Sequence, residues 1–314
     1  GCLKERGDMK VPLVDLKAQY LSIKEEIDSA VARVLSKGNY VMGEEVEAFE
    51  EEWAAFCKAK YCVGVSSGTD ALYLALSVLG SDRDVITTPF TFFATTQAIL
   101  WSGNRPLFWD IGEDGNLPSG NFHGDFAVPV HLYGLPGNWK GDYVVEDMAQ
   151  AHGIPLKARI GCFSFYPTKN LGAMGQVGAV VTNDKDLADE IRELRTYGER
   201  ERFVHYALTG NHRMDEIQAA VLRIKLPHLK EWNLKRRGVA FWYGALLADI
   251  PDIKLPEDHP QHVYHIFAIR VKERHSLVAY LKEQGIQTAV RSPLPMPLQP
   301  ALRYLCYKEA DFPN

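Results

Sequence analysis

Apolar and polar positions recur with two periods along this chain of 314 residues, and each period predicts a type of element. Apolar side chains at helical spacing predict a helix over 16–37, which Gly38-Asn39 ends. A second helix is predicted from about Glu44 to Lys58, with acidic residues in its first turn, where the helix dipole favours them. Short uninterrupted apolar runs instead predict buried strands, at 61–65, 85–88, 105–110, 126–132, 143–146, 162–166 and 177–182.

Helical segments separate many of these strands, and the alternation indicates the fold class. Strands that alternate with helices indicate a doubly wound α/β sheet that is mostly parallel. After the last of these strands, the pattern predicts helices at about 184–197, 214–226 and 227–247, a polar connector at 251–260, and then a strand, a helix and a strand at 263–271, 272–284 and 286–290. We therefore predict a large α/β domain over 10–235 and a small α+β domain over 236–314.

The turn around Lys169 is the least typical part of the predicted core. An apolar run stops at Pro167, and Lys169 follows within a turn that contains Gly172 and Gly175. Burial of an ammonium group is costly, so a lysine at the end of a buried strand should have a lowered pKa and be a nucleophile. A surface lysine in a loop has the same local pattern, so the rest of the chain must decide.

A second unusual turn, Ser66-Ser67-Gly68-Thr69, joins a predicted strand to a predicted helix. Free backbone N–H groups and the helix dipole converge at such a helix N-terminus, a geometry that binds anions such as phosphate. The turn lacks the GxxxxGK[ST] pattern of a P-loop. A capped strand-to-helix turn without a ligand is the alternative interpretation.

Several residues with chemical potential come directly after predicted strands: Thr69, Phe92, Asp147, Gln150 and Lys169. In α/β sheets, ligands bind beyond the carboxyl ends of the strands. We therefore expect one edge of the sheet to gather these side chains. Taken singly, each has an ordinary explanation: core packing for Phe92, a helix N-cap for Asp147 and a surface position for Gln150.

Composition narrows the class of protein. The chain is 46% apolar and 24% charged, which is ordinary for a globular protein, and its net charge of −5 argues against a nucleic-acid partner. No apolar run approaches the roughly 18 residues of a membrane span, and five cysteines without a CxxC pair are typical of reduced thiols. The opening GCLKERGD is polar, so we expect a cytoplasmic protein without a signal peptide, and residues 1–9 are predicted to be a tail or a remnant outside the fold.

An amine nucleophile, a buried carboxylate, an aromatic ring and a phosphate-binding turn together fit pyridoxal 5′-phosphate. The aldehyde of this cofactor needs a lysine, its pyridine nitrogen needs a carboxylate, its ring needs a flat partner and its phosphate needs donors. The sequence therefore predicts a pyridoxal phosphate site at the sheet edge.

At this point the chain resembles the DegT/DnrJ/EryC1/StrS family of sugar aminotransferases, whose members have the fold of the aspartate aminotransferase superfamily, fold type I. The resemblance extends over about residues 10–313. It rests on seven ordered blocks: GNYVMGEEVEAFE (38–50), SSGTDAL (66–72), TPFTFFAT (88–95), PVHLYG (129–134), EDMAQAHG (146–153), SFYPTKNLG (164–172) and GNHRMDEIQAA (210–220). It implies a seven-stranded, mostly parallel sheet in the large domain.

The resemblance implies a role for each matched residue. Lys169 would form the Schiff base with the cofactor and then move a proton between substrate and cofactor. Asp147 would pair with the pyridine nitrogen, Gln150 would bond the phenolic oxygen, and Phe92 would stack on the ring.

The resemblance also assigns the phosphate to Gly68, Thr69 and Ser164. Asn211 would reach the phosphate of the partner subunit, which implies a homodimer with shared active sites. For Ser164 an ordinary strand residue is the alternative. Histidines 131 and 152 are expected to support the site structurally.

The reaction implied is transamination, in which an amino donor, expected to be L-glutamate, supplies the amine and a nucleotide-linked keto-sugar accepts it. The segments VPLVDLKAQY and GTDAL favour a 3-keto over a 4-keto acceptor. Compared with the family, the chain ends early at ADFPN, so the small domain is predicted to be incomplete.

Two other classes remain as alternatives. In the sugar dehydratases of this family a histidine replaces the lysine, so Lys169 argues against that activity. A non-catalytic, regulatory member is disfavoured because Asp147, Gln150 and Lys169 are all present. A nicotinamide-binding protein is rejected, since no GxGxxG follows the first strand.

Overall fold

The computed structural model describes residues 10–118, 120, 123–137, 145–291 and 293–314. Its helices are α1 Leu16–Ser22, α2 Lys24–Lys37, α3 Glu44–Cys57, α4 Gly68–Ser77, α5 Phe93–Trp101, α6 Lys185–Arg195, α7 Glu216–Lys225, α8 Leu229–Leu247 and α9 Arg274–Glu283. Its strands are β1 Tyr61–Val65, β2 Asp84–Thr87, β3 Arg105–Phe108, β4 Phe126–Ala127, β5 Val145–Asp147, β6 Ile160–Ser164, β7 Gly178–Thr182, β8 Glu199–Glu201, β9 Val204–His205, β10 Ile253–Lys254 and β11 Arg270–Val271.

Seven strands form the central layer, in the order β3-β2-β4-β5-β6-β7-β1. Strands β3, β2 and β4 are parallel, as are β5 and β6, whereas β7 is antiparallel to both of its neighbours. The two groups of strands meet where Val130 pairs with Asp147, with the Asp147 N–H donating to the Pro129 carbonyl at 2.9 Å. The prediction of a mostly parallel sheet of seven strands is confirmed.

The core has two layers because successive strand residues face opposite sides of the sheet. Phe163 packs with Trp53 of α3 and Leu222 of α7 on one face. Its neighbour Cys162 lies on the other face, where α4, α5 and α6 contribute the apolar residues. This arrangement leaves the carboxyl ends of β1, β2, β5 and β6 free to carry the side chains that the sequence analysis singled out.

Some predicted elements differ from those observed, and tertiary contacts explain the differences. The predicted helix over 16–37 divides at Ile23, whose side chain is buried with Ile27 and Val221. The predicted strand over 263–271 is reduced to β11, because Val263 N–H and Ile266 N–H donate instead to Gly134 and Tyr133. Of the predicted strand 286–290, Ile286 alone pairs, with Val11.

The hairpin β8–β9 was not predicted at all. Strand β5 begins at Val145 and extends to Asp147, and residues 143 and 144 of its predicted range lie outside the described residues, as does the predicted tail at 1–9.

Helix α3 depends on a distant residue for its N-terminal cap. Its N-cap, Gly43, has no side chain to accept the free N–H groups of the first turn. The buried Glu216 carboxylate accepts them, from the N–H groups of Gly43, Glu45 and Val46 at 2.7, 3.1 and 2.9 Å. Helix α7 therefore completes α3 from a position about 170 residues away in sequence.

Candidate active site

The N-terminus of α4 forms a narrow polar turn against the end of β6. Ser67 caps the helix by accepting the Asp70 N–H at 3.0 Å. A Cβ at Gly68 would lie 2.5 Å from the Cβ of Ser164, so a side chain there would push the two segments apart. The structure thus brings Gly68, Thr69 and Ser164 together, as predicted for a phosphate site, and leaves the first N–H groups of α4 available to an anion.

Asp70 and His212 hold this turn in place. The Asp70 carboxylate accepts from the hydroxyls of Ser66 and Ser67 at 2.5 and 2.8 Å and lies 3.0 Å from Nδ1 of His212. The His212 carbonyl accepts the Ser66 N–H at 2.9 Å. His212 was not identified from the sequence, although it stands in the GNHRMDEIQAA block.

Asp147, the last residue of β5, has a fixed carboxylate although it is buried. Its Oδ2 accepts the Thr95 hydroxyl at 2.8 Å, and its Oδ1 accepts the Ala149 N–H at 3.0 Å. Thr95 in turn lies 3.0 Å from the Thr91 hydroxyl within TPFTFFAT. Both donors are neutral, an arrangement that suits a carboxylate predicted to hold a proton on a ring nitrogen.

The Lys169 amine has a pKa well below that of an ordinary lysine. Withdrawal from water lowers its pKa to about 8, an effect that Asp147 opposes and the cation of Arg291 reinforces. The turn itself is held by the Lys169 N–H, which donates to the Tyr166 carbonyl at 2.8 Å. The pKa agrees with the expectation drawn from the sequence, because a group near 8 is partly unprotonated at neutral pH.

Gln150 and Phe92 follow strands β5 and β2 in the chain and have different surroundings. The Gln150 side-chain carbonyl accepts the Tyr133 N–H at 2.6 Å, which fixes the amide and leaves its NH₂ group to face other partners. Phe92 is the N-cap of α5 and is 72% exposed, so it is not a core residue. An exposed aromatic at the mouth of a site is free to stack on a planar ligand.

The residue after the lysine links this turn to the C-terminal part of the chain. The Asn170 amide donates to the Val263 carbonyl at 2.9 Å and to Asn233 of α8 at 2.8 Å, and its oxygen lies 3.2 Å from Nδ1 of His265. Burial and the nearby Lys169 charge hold the pKa of His265 well below its ordinary value, so this histidine is neutral. Asn170 was not identified from the sequence, although it stands in the SFYPTKNLG block.

Asn211 stands apart from the other predicted site residues. It is exposed, and its side-chain oxygen accepts Nε of Arg213 at 2.8 Å. In the described part of the chain, no hydrogen bond joins Asn211 to the residues predicted to bind the cofactor. A role toward another subunit therefore stays a prediction.

The two histidines near the site are buried in different surroundings. His152 lies among the rings of Trp53, Phe163 and Phe165, and burial together with Lys169 lowers its pKa to about 3. His131 accepts the Gly137 N–H at 2.9 Å through Nδ1. A histidine that stays neutral at physiological pH is a poor acid catalyst, which agrees with a supporting role for His152.

The residues at this edge fit pyridoxal phosphate on structural grounds. The turn at Gly68 places a helix N-terminus, which favours anions, close to Ser164, the ring of Phe92 is exposed, and the Asp147 carboxylate and the Lys169 amine interact electrostatically. Among the described ranges, no group of three metal-ligating side chains could hold a metal ion, and no helix is long and apolar enough to cross a membrane.

Two curated relatives show how this chain compares with known proteins. It is 41% identical over 332 residues to dTDP-3-amino-3,4,6-trideoxy-alpha-D-glucose transaminase of Streptomyces venezuelae, covering 97% of this chain and 88% of that protein. It is 41% identical over 339 residues to the erythromycin biosynthesis sensory transduction protein EryC1 of Saccharopolyspora erythraea, covering 97% and 91%.

Solved structures also match this chain over most of its length. DesV of S. venezuelae in complex with a ketimine intermediate matches with a TM-score of 0.90 and 38% identity, covering 97% of this chain and 89% of that one. NtdA of Bacillus subtilis with bound cofactor PMP matches with a TM-score of 0.85 and 27% identity, covering 98% and 79%. The family model described as the DegT/DnrJ/EryC1/StrS aminotransferase family matches residues 21–314. The chain therefore belongs to the DegT/DnrJ/EryC1/StrS aminotransferase family.

Proposed function

We propose that this protein is a pyridoxal phosphate-dependent aminotransferase that moves an amino group from an amino donor to a nucleotide-linked keto-sugar. The observation that carries the proposal is the Lys169 amine, whose pKa of about 8 is set by burial beside Asp147 at the edge of the sheet. Family membership and the printed names of the relatives support it.

Each residue of the site has a task that its environment supports. Gly68, Thr69 and Ser164 hold the cofactor phosphate at the α4 N-terminus. Phe92 stacks on the cofactor ring, Gln150 bonds its phenolic oxygen, and Asp147 keeps its pyridine nitrogen protonated. When bound, the cofactor supplies the aldehyde and the electron sink.

Lys169 has two tasks at one atom, Nζ. As a free amine it would hold the cofactor through its aldehyde, with release of water, and as a proton carrier it would accept and return the proton of the substrate carbon. A pKa near 8 suits both tasks, since an acid–base group works best when its pKa lies close to the operating pH.

The acceptor is proposed to be a 3-keto nucleotide sugar and the donor L-glutamate. The relative from S. venezuelae is named for a 3-amino sugar, which supports the 3-keto preference. The cationic Arg291, close enough to Lys169 to lower its pKa, supports an anionic substrate at the site.

The functional unit is proposed to be a homodimer in which Asn211 reaches the partner's site. Support comes from the surface around Asn211, where Phe203, Tyr206 and Leu208 expose apolar side chains beside the hairpin β8–β9. Apolar clusters of this kind are typical of protein interfaces.

An absorption spectrum with and without added pyridoxal phosphate tests the activity. We expect a band that borohydride bleaches, that Lys169→Ala abolishes and that the control variant Lys157→Ala retains, because Lys157 is exposed and its Nζ bonds the Gly137 carbonyl instead. Addition of L-glutamate should convert the band to that of the amine form. A protein that takes up no cofactor contradicts the proposal.

A panel of 3-keto and 4-keto nucleotide sugars then tests the acceptor, with amine transfer followed by mass spectrometry. Transfer to 4-keto sugars alone would contradict the 3-keto preference without affecting the aminotransferase activity.

A regulatory protein is the second candidate, because the relative EryC1 has a name that describes sensory transduction. A purely regulatory role predicts that the protein binds the cofactor but transfers no amine to any sugar of the panel. Transamination of one of these sugars by the purified protein would exclude a purely regulatory role.

A further inference from the structure

Lys225, at the end of α7, is a buried lysine that the proposed chemistry does not use. It is 3% exposed and lies on the face of α7 that also buries Val221 and Leu222. Lysine is rarely buried to this degree without an anionic partner. Within the described ranges, no carboxylate lies within ion-pairing distance of its Nζ.

Its partners are two neutral oxygens from different parts of the chain. Nζ donates to the Gly172 carbonyl at 2.7 Å and to Oε1 of Gln19 at 3.2 Å. Gly172 belongs to the turn that carries Lys169, and Gln19 belongs to α1. Burial without a countercharge lowers the pKa of Lys225 to about 8.

Gly172 lies at the tightest point of the lysine turn. A Cβ there would lie 2.3 Å from the Pro167 carbonyl oxygen, so the backbone doubles back on itself. The turn is closed by the Ala173 N–H, which donates to the Phe165 carbonyl at 2.8 Å. The hydrogen bond from Lys225 Nζ to the Gly172 carbonyl therefore restrains the three residues between Lys169 and Ala173.

Helix α7 holds the turn at a second point. The Gln218 side-chain oxygen accepts the Met174 N–H at 2.9 Å and packs against Gly175. Gln218 and Lys225 lie two turns apart on the same face of α7, so they hold the lysine turn at two points, Met174 and Gly172.

We propose that Lys225 is a positioning residue, which fixes the turn of Lys169 through the Gly172 carbonyl and ties it to α1 through Gln19. An ammonium suits this task because it donates to both oxygens at once and reaches them from a helix that the core holds rigidly. The role for catalysis rests on the proposed function, whereas the restraint of the turn does not.

Hydrogen exchange of the cofactor-free protein tests the restraint. In Lys225→Met, the amides of residues 165–175 should exchange about tenfold faster than in the native protein, because the turn loses its outer donor. The control is Arg223→Met, on the same helix, which removes the ion pairs with Glu45 and Glu52 and leaves the lysine turn alone. Unchanged exchange at 165–175 in folded Lys225→Met overturns the proposal.

Two further measurements separate positioning from simple loss of stability. In the loaded enzyme, Lys225→Met should lower kcat about tenfold while the KM of the amino donor stays within about twofold, because misplacement of Lys169 affects the chemical step. The midpoint pH at which the absorption band of the bound cofactor titrates should shift in Lys225→Met and stay unchanged in Arg223→Met. Equal effects of the two variants would assign Lys225 a purely structural role.

A second variant covers the case in which Lys225→Met does not fold. Gln19→Leu removes one acceptor of Nζ and leaves α7 intact, and it should also speed exchange at 165–175. If exchange at 165–175 keeps its native rate in Gln19→Leu, the link to α1 is wrong. If the turn loosens in these variants but the native protein takes up no pyridoxal phosphate, the proposed function fails and the restraint stands.

Discussion

Two lysines, Lys169 and Lys225, determine the character of the site at the scale of single residues. Both have a pKa lowered to about 8 by removal from water, but Lys169 lies near the Asp147 carboxylate at the edge of the sheet, whereas the hydrogen-bond partners of Lys225 are neutral oxygens. The same physical cause therefore lowers both pKa values, in one place for an amine that we propose to be reactive and in the other for an amine that we propose to be structural. Access to a ligand distinguishes them.

The pKa of Lys169 predicts how fast the cofactor-free protein takes up pyridoxal phosphate. The rate should rise with pH up to about 8 and level off above it, because only the unprotonated amine attacks an aldehyde. Stopped-flow absorbance measures the rate. The rate is divided by the rate at which N-acetyl-lysine amide reacts with pyridoxal phosphate, which corrects for the ionisation of the cofactor itself. The rate of this free lysine still rises between pH 8 and 10, so the ratio should fall there. A ratio that does not fall would contradict the lowered pKa of Lys169.

The pKa of Lys225 predicts the pH dependence of stability. Between pH 8 and 10.5 the folded protein binds fewer protons than the unfolded chain, whose lysine has the ordinary pKa of 10.5, so the free energy of unfolding rises with pH in this window. Between pH 8 and 10.5, the free energy of unfolding of the native protein should rise by up to about 3 kcal/mol relative to that of Lys225→Met. Urea unfolding of both proteins at several pH values measures the difference, and a constant difference would contradict the prediction.

At the scale of elements, the ends of strands and the starts of helices create the site. The sequence identified β1, β6 and β7 and the turn after β1 because their apolar runs and glycines are local signals. It did not identify the break at Ile23, because that break depends on packing against the distant Val221. It did not identify the hairpin β8–β9 either, because its strands of three and two residues are largely exposed and carry no apolar pattern. The same limit applies to the site: Lys169 and Asp147 stand in recognisable motifs, whereas His265 and Lys225 act through contacts that only the folded chain provides.

The close contact between Gly68 and Ser164 predicts how the substitution Gly68→Ala affects cofactor binding. Gly68→Ala should weaken pyridoxal phosphate binding at least about tenfold, because the new Cβ would separate α4 from β6 at the phosphate turn. Fluorescence titration measures the affinity.

Gly238→Ala is the matched control for that substitution. Gly238 is inside α8, and open space surrounds the position that its Cβ would occupy, so alanine there should leave the affinity unchanged and raise the free energy of unfolding by about 0.5–1 kcal/mol. Native affinity in Gly68→Ala would show that the turn does not hold the phosphate.

At the scale of the whole molecule, distant parts of the chain converge on the lysine turn. Asn170 joins it to the C-terminal segment at Val263, and Lys225 joins it to α1. The segment before α1 in turn pairs with the C-terminal part, since the Val11 N–H donates to the Gly285 carbonyl at 2.9 Å. The division into domains at 235 and 236 stays a prediction, and these contacts show that both proposed parts support the site.

A mixing experiment tests the shared-site dimer. Lys169→Ala and Asn211→Ala proteins should each be impaired as homodimers, and an equal mixture that exchanges subunits should recover about a quarter of native activity, because each mixed dimer contains one intact site. Activity after mixing, with sedimentation to confirm the dimer, measures the recovery. No recovery in a mixture shown to contain mixed dimers would place Asn211 in its own subunit's site.

The capping of α3 by Glu216 has a consequence for synthesis of the protein on the ribosome. Helix α3 emerges long before α7, so its first N–H groups lack their acceptor until about 170 further residues have been made. The same helix α7 supplies the residues that hold the lysine turn. Because contacts between distant segments form late in folding, we expect a nascent chain to have neither a finished α3 nor a fixed Lys169 until α7 docks, and so to acquire its cofactor only after α7 has emerged.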